Sequence, residues 1–244
     1  PASGAYKITI TNVTDSAVIV SGVSCDTNEY QLTQDLIEGK EYKVDITAKD
    51  ALGNESLAGS RTLYYDQTAP GAPGTPTVGT DFGGTRWTNN LQPPVNWAAS
   101  TDTAPGEMHQ TEPYTLKIGA TSGAVDILGE TFVTTNTYTP SSDLSLTTGN
   151  TYYADVKAKD AANIENTLGY VEGTFKFDNT PPTIAGTPTL KTGSPAVTRE
   201  GVVYTNSTIP DLDWENADDG AGIGLPTTGA YEVKVGSSSG GAEM

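Results

Sequence analysis

One segment of this chain occurs twice, and the distance between its copies sets the size of the folding unit. Lys40-Glu41-Tyr42-Lys43-Val44-Asp45-Ile46-Thr47-Ala48-Lys49-Asp50 returns as Asn150-Thr151-Tyr152-Tyr153-Ala154-Asp155-Val156-Lys157-Ala158-Lys159-Asp160. Tyr42 and Tyr152 stand 110 residues apart, as do Asp50 and Asp160. A period of about 100 residues is the size of one β-sandwich domain.

Other matches keep nearly the same period. Tyr64-Tyr65-Asp66-Gln67-Thr68-Ala69-Pro70 corresponds to Lys176-Phe177-Asp178-Asn179-Thr180-Pro181-Pro182, with Asp66 and Asp178 112 residues apart. Val95-Asn96-Trp97 corresponds to Leu212-Asp213-Trp214, and Tyr114-Thr115-Leu116-Lys117-Ile118-Gly119 to Tyr231-Glu232-Val233-Lys234-Val235-Gly236, both 117 apart. Tyr6-Lys7-Ile8-Thr9-Ile10 is a weaker first copy of that last strand. The drift in spacing reflects loop insertions, which surface loops tolerate. The matches divide the chain into residues 1–66, the C-terminal half of a module; 67–178, a complete module; and 179–244, the N-terminal half of the next. The chain lacks an initiating Met and stops shortly after Ser238-Ser239-Gly240-Gly241. It is therefore expected to be a piece of a longer polypeptide, and its lack of a signal peptide carries no information on location.

Thr, Gly, Val and Tyr are abundant, and Pro and Gly interrupt the chain every few residues. That pattern predicts short strands and turns, hence an all-β fold. In the second copy, Tyr152, Ala154, Val156 and Ala158 fall on one face of a strand, and Tyr153, Asp155 and Lys157 on the other. Tyr42, Val44, Ile46 and Ala48 repeat the inward face, and Tyr114, Leu116 and Ile118 form another. No apolar run reaches the roughly 18 residues a membrane-spanning helix needs. The formal charge of −17, from 30 acidic and 13 basic residues, argues against nucleic acid, whose phosphates need Lys and Arg. It supplies oxygen ligands for hard cations, and equally serves solubility or a salty habitat. Cys25 is the single cysteine, so no internal disulfide forms and each module depends on its apolar core.

These residues resemble a family. Trp97 resembles the core Trp on the second strand of fibronectin type III-like and bacterial immunoglobulin-like modules. Leu146-Thr147-Thr148-Gly149-Asn150-Thr151-Tyr152 and Leu36-Ile37-Glu38-Gly39-Lys40-Glu41-Tyr42 resemble the approach to the tyrosine corner before the sixth strand. Ala48-Lys49-Asp50-Ala51-Leu52-Gly53-Asn54-Glu55-Ser56 is similar to the turn between the sixth and seventh strands of bacterial members. The second copy has Asn163 where the first has Gly53, and Asn tolerates the left-handed backbone better than most residues. The resemblance covers essentially the whole chain. It implies tandem immunoglobulin-like (fibronectin type III-like) β-sandwiches, non-catalytic, serving as spacers, adhesin stalks or accessory domains of large secreted bacterial proteins. The implied location is extracellular or at the cell surface. The implied partners are neighbouring modules of the same chain and a surface glycan or a host or matrix protein.

The resemblance also places the entering chain, the loop after the Trp strand and the later turn at one pole. That gathers Asp66, Asp102, Asp160, Asn163 and Glu165 as candidate calcium ligands at a module joint, since calcium takes about six to eight oxygens. The next joint offers Asp178, Asp218 and Asp219. The competing reading is that Asp and Asn simply build turns through their own side chains. No contiguous Asp-x-Asp-x-Asp-Gly loop is present. Trp97 and Trp214, at repeated strand positions, are expected in cores, whereas Trp87 after Gly83-Gly84 is a candidate sugar contact, or equally an edge-packing residue like its repeat equivalent Tyr204. His109 is the only histidine, with no nucleophile-and-base motif around it, so no active site is expected. The reading is a stalk or adhesive spacer, calcium-stiffened at its joints. The alternative is a glycan-binding accessory module of a secreted hydrolase.

Overall fold

The computed structural model describes residues 4–104, 106–191 and 196–236; the Ser238–Gly241 stretch lies outside the described residues. Seventeen strands and no α-helix occur among them, so the fold is all-β. In chain order the strands are β1 (Tyr6–Asn12), β2 (Ala17–Cys25), β3 (Lys40–Ala48), β4 (Gly59–Tyr65), β5 (Thr77–Val78) and β6 (Thr80–Phe82). Next come β7 (Thr85–Thr88), β8 (Val95–Asn96), β9 (Tyr114–Gly119), β10 (Leu128–Val133), β11 (Thr137–Tyr138) and β12 (Thr151–Ala158). The last are β13 (Val171–Phe177), β14 (Thr189–Leu190), β15 (Ala196–Arg199), β16 (Val202–Thr205) and β17 (Leu212–Asp213). No helix among the described residues is long and apolar enough to cross a membrane.

The chain forms two compact units that interleave along the sequence. One comprises Pro1–Thr77, Pro94–Thr139 and Tyr153–Gly173; the other comprises Val78–Pro93, Pro140–Tyr152 and Thr174–Met244.

In the complete repeat, one sheet runs β10-β9-β12-β13-β7-β6 and a smaller one runs β11-β8-β5. That is the immunoglobulin-like arrangement of a four-strand C′CFG row opposite an ABE row. Strand β7 joins β13 in parallel, with Lys176 opposite Trp87. The four-stranded sheet β2-β1-β3-β4 repeats the C′CFG row for the first copy. Strands β14 and β17 pair as β5 and β8 do.

The alternation places the core. Tyr152, Ala154, Val156 and Ala158 are all buried, as are Tyr114, Leu116 and Ile118. Trp97 is buried and meets Tyr114 edge-on, with ring centroids 5.4 Å apart. Trp214 is half-buried and repeats the contact with Tyr231 at 5.7 Å. Both tyrosine corners form. The Tyr42 hydroxyl accepts the Ile37 N–H at 2.8 Å, and the Tyr152 hydroxyl accepts the Thr147 N–H at 2.8 Å.

Two faces depart from simple alternation. Asp155 and Lys117, on the outward face, are buried. They sit opposite each other across β9 and β12, and the Tyr170 ring covers this face, with Lys117 Nζ 4.2 Å and Lys157 Nζ 4.9 Å from its centroid. In the first copy, Ile8, Ile10, Val20 and Tyr42 form a core, but Ile46 is 44 % exposed where its counterpart Val156 is 0 %.

Candidate metal centre

Three loops converge on one acidic group. Asp66 follows β4 and heads the segment that runs to Pro70. Its Oδ1 accepts the Thr68 N–H at 2.9 Å. Asp102 lies in the loop after β8, and Tyr114 pins that loop by accepting the Ser100 N–H on its hydroxyl at 2.8 Å. Asp102 Oδ1 accepts the Thr103 N–H at 2.8 Å. Gly106 passes so close that a Cβ there would strike Asp102 Oδ2 and come within 2.8 Å of the Thr103 carbonyl, so this approach needs glycine. Asp160 opens the turn after β12. Its Oδ1 accepts the Ile164 N–H at 2.8 Å, and an isolated bridge to Met108 holds it against the 106–109 loop.

Asp66, Asp102 and Asp160 each offer an oxygen, and these lie within 4.8 Å of one another. Asp66 and Asp102 are half-buried, while Asp160 is completely buried. Asp102 Oδ2 and Asp160 Oδ2 have no hydrogen-bond partner. A buried polar group left unpaired costs about 1–3 kcal/mol, more if charged. Burial pushes Asp66 above its ordinary pKa, and the Asp102 and Glu38 carboxylates add to that against the pull of the Thr68 N–H. Among the described residues, no Lys or Arg forms an ion pair with these three acids. Three carboxylate oxygens this close could hold a hard divalent cation, which takes oxygen ligands.

The first copy supplies an internal control. Asp50 Oδ1 accepts the Leu52 and Asn54 N–H groups at 2.9 and 2.8 Å, and Oδ2 accepts Asn54 Nδ2 at 2.8 Å. That carboxylate is a pure turn-maker, held below its ordinary pKa chiefly by the Asn54 side chain. In the second copy Ile164 stands in the place of Asn54. The turn survives, with Asn163 in the left-handed region at φ 66°, but the amide donor is gone and Asp160 Oδ2 is left over.

The other predicted positions divide. Glu165 is not brought into the acidic group: its carboxylate pairs with Lys157 Nζ at 2.7 Å. Asn163 is exposed and supplies the turn geometry, its N–H reaching the Asp160 carbonyl at 3.2 Å. Asp178, Asp218 and Asp219 accept backbone N–H groups. Asp178 accepts from the Thr180 and Ile223 N–H groups, Asp218 from Gly220 and Asp219 from Gly224. His109 Nδ1 accepts the Glu112 N–H at 3.0 Å, which makes it a loop brace. Trp87 is half-buried, with Lys176 Nζ 5.3 Å from its ring centroid. Together with the exposed Phe82, the 178–182 segment and Leu225 it lines a groove of about 620 Å³.

Sequence reasoning missed four contributors: Glu38, Gly106, Tyr114 and Ile164. Tyr114 left a signal, since Tyr231 repeats it and likewise accepts the Ala217 N–H, at 2.9 Å. Glu38 left none, because its contact spans about thirty residues between two loops.

No family model matches this chain, and no curated protein matches it. Among solved structures it is similar to the fibronectin(III)-like modules of CbhA from Clostridium thermocellum. Identity is 13 %, covering 72 % of this chain and 79 % of that one, with a TM-score of 0.35.

Proposed function

We propose that this chain is a run of tandem, non-catalytic β-sandwich modules acting as a stalk or adhesive spacer in a bacterial extracellular protein, with a calcium ion stiffening a joint. Module boundaries near residues 66 and 178 follow the sequence repeat. The observation that carries the reading is Asp160, fully buried with one carboxylate oxygen unpaired, in a group with Asp66 and Asp102. Asp66 stands on the connecting segment, while Asp102 and Asp160 stand on loops of the next sandwich. An ion held by all three would tie the connection to that sandwich and restrict bending, in addition to the stiffness that Pro70 contributes.

Thermal unfolding in excess calcium and in chelator tests this. A bound ion adds about 2.7 kcal/mol at a hundredfold excess over its dissociation constant, so the transition should move clearly upward. An identical melt in both conditions would return the three aspartates to turns and surface charge.

The groove beside Trp87 favours a second reading, a glycan-contact surface. Phe82 is 53 % exposed there and Trp87 is half-buried, and stacking on sugar rings needs an open aromatic face. Gel electrophoresis through soluble polysaccharides checks it: retardation that disappears in Trp87→Ala supports a glycan site, and unretarded migration of the wild type removes it.

A further inference from the structure

Glu38 stands in the corner loop ahead of β3, on the sheet before the connecting segment. Its neighbour Ile37 is pinned there by the Tyr42 hydroxyl. Both of its carboxylate oxygens are spent on the connection that leaves Asp66: Oε2 accepts the Gln67 N–H at 2.8 Å and Oε1 accepts the Thr68 hydroxyl at 2.9 Å. Thr68 is thus held twice, by Glu38 through its hydroxyl and by Asp66 through its N–H. The Gly39 N–H, reaching the Tyr65 carbonyl at 3.0 Å, closes the same corner.

This clamp places a further carboxylate on the two residues that follow Asp66, which is itself crowded by Asp102 and Asp160. No Lys or Arg among the described residues forms an ion pair with Glu38 either. Like charges in partly desolvated surroundings repel, so the clamp works against the charge of the acidic group. The repeat shows that such a clamp needs no charge. Thr148 stands 110 residues after Glu38, at the same place before β12. Its hydroxyl accepts the Asn179 N–H at 3.2 Å and meets the Thr180 hydroxyl at 2.9 Å. Glu38 and Thr148 therefore make the same latch with different electrostatics.

We propose that Glu38 is the positioning residue that couples the cation site to the preceding sheet: it holds the Gln67–Thr68 connection firmly when a divalent cation compensates the Asp66–Asp102–Asp160 charge, and loosely when none is bound. The coupling rests on the cation reading given above. It makes the joint after Tyr65 cation-sensitive and the one after Phe177 insensitive at its latch. By linkage, an ion that favours the clamp is itself bound more tightly when the clamp is made.

The test is calcium titration by calorimetry together with amide exchange at Gln67, read by NMR on the full chain as wild type and as Glu38→Thr, which installs the latch of the other joint. In the wild type, saturating calcium should slow Gln67 exchange at least tenfold. In Glu38→Thr, Gln67 exchange should be the same with and without calcium, while calcium still binds. Calcium that binds the wild type without changing Gln67 exchange, or that slows Gln67 equally in Glu38→Thr, overturns the coupling and leaves the cation site standing. A wild type that takes up no calcium overturns both.

Discussion

Asp50 and Asp160 occupy one position of one turn, and a single neighbouring residue separates their chemistry. Asn54 satisfies the outer oxygen of Asp50 with its side-chain amide, whereas Ile164 gives Asp160 only its backbone N–H and has no side-chain donor for Oδ2. Restoring the donor with Ile164→Asn should satisfy Asp160 internally. Stability measured in chelator should rise by about 1 kcal/mol, the usual net worth of a hydrogen bond, and the calcium-induced shift in melting temperature should shrink. A larger calcium shift in that variant would count against the assignment of Asp160. The tyrosine corners make a second prediction at this scale. Tyr152→Phe leaves the Thr147 N–H without its partner and should cost about 1–3 kcal/mol in denaturant unfolding. No change in the midpoint would mean that water replaces the hydroxyl freely.

At the scale of elements, the repeat made most strands legible. Alternation in Tyr152–Ala158 and Tyr114–Gly119 marks faces that are buried in the structure, and the matched Trp97 and Trp214 both pack edge-on against the matched tyrosines. Alternation could not show that the opposite face is also covered, because Tyr170 and the lysines that flank it come from separate strands and loops. The site was legible in part for the same reason. Asp66, Asp102 and Asp160 are grouped by the family resemblance, whereas Glu165 is taken up by Lys157. The unequal burial of the two copies carries its own expectation. Strand β3 exposes Ile46 and packs fewer apolar groups than β12, and local stability follows buried contacts. Hydrogen exchange should protect the Thr151–Ala158 amides longer than those of Lys40–Ala48; equal protection would contradict this.

For the whole molecule, the proposed role is mechanical, and the described residues at the two joints differ in chemistry. The joint after Tyr65 gathers Asp66, Asp102 and Asp160, with an unpaired oxygen on each of Asp102 and Asp160, and the described aspartates after Phe177 accept backbone amides. Among the described residues, calcium should therefore bind at the first of them. Isothermal calorimetry of the wild-type chain beside Asp160→Asn measures this directly. The substitution keeps the acceptor for Ile164 and places an amide where the free oxygen stood. A stoichiometry near one is expected in the wild type, with at least a tenfold loss of affinity in Asp160→Asn. No binding heat in the wild type, or equal affinity in the two proteins, would contradict it.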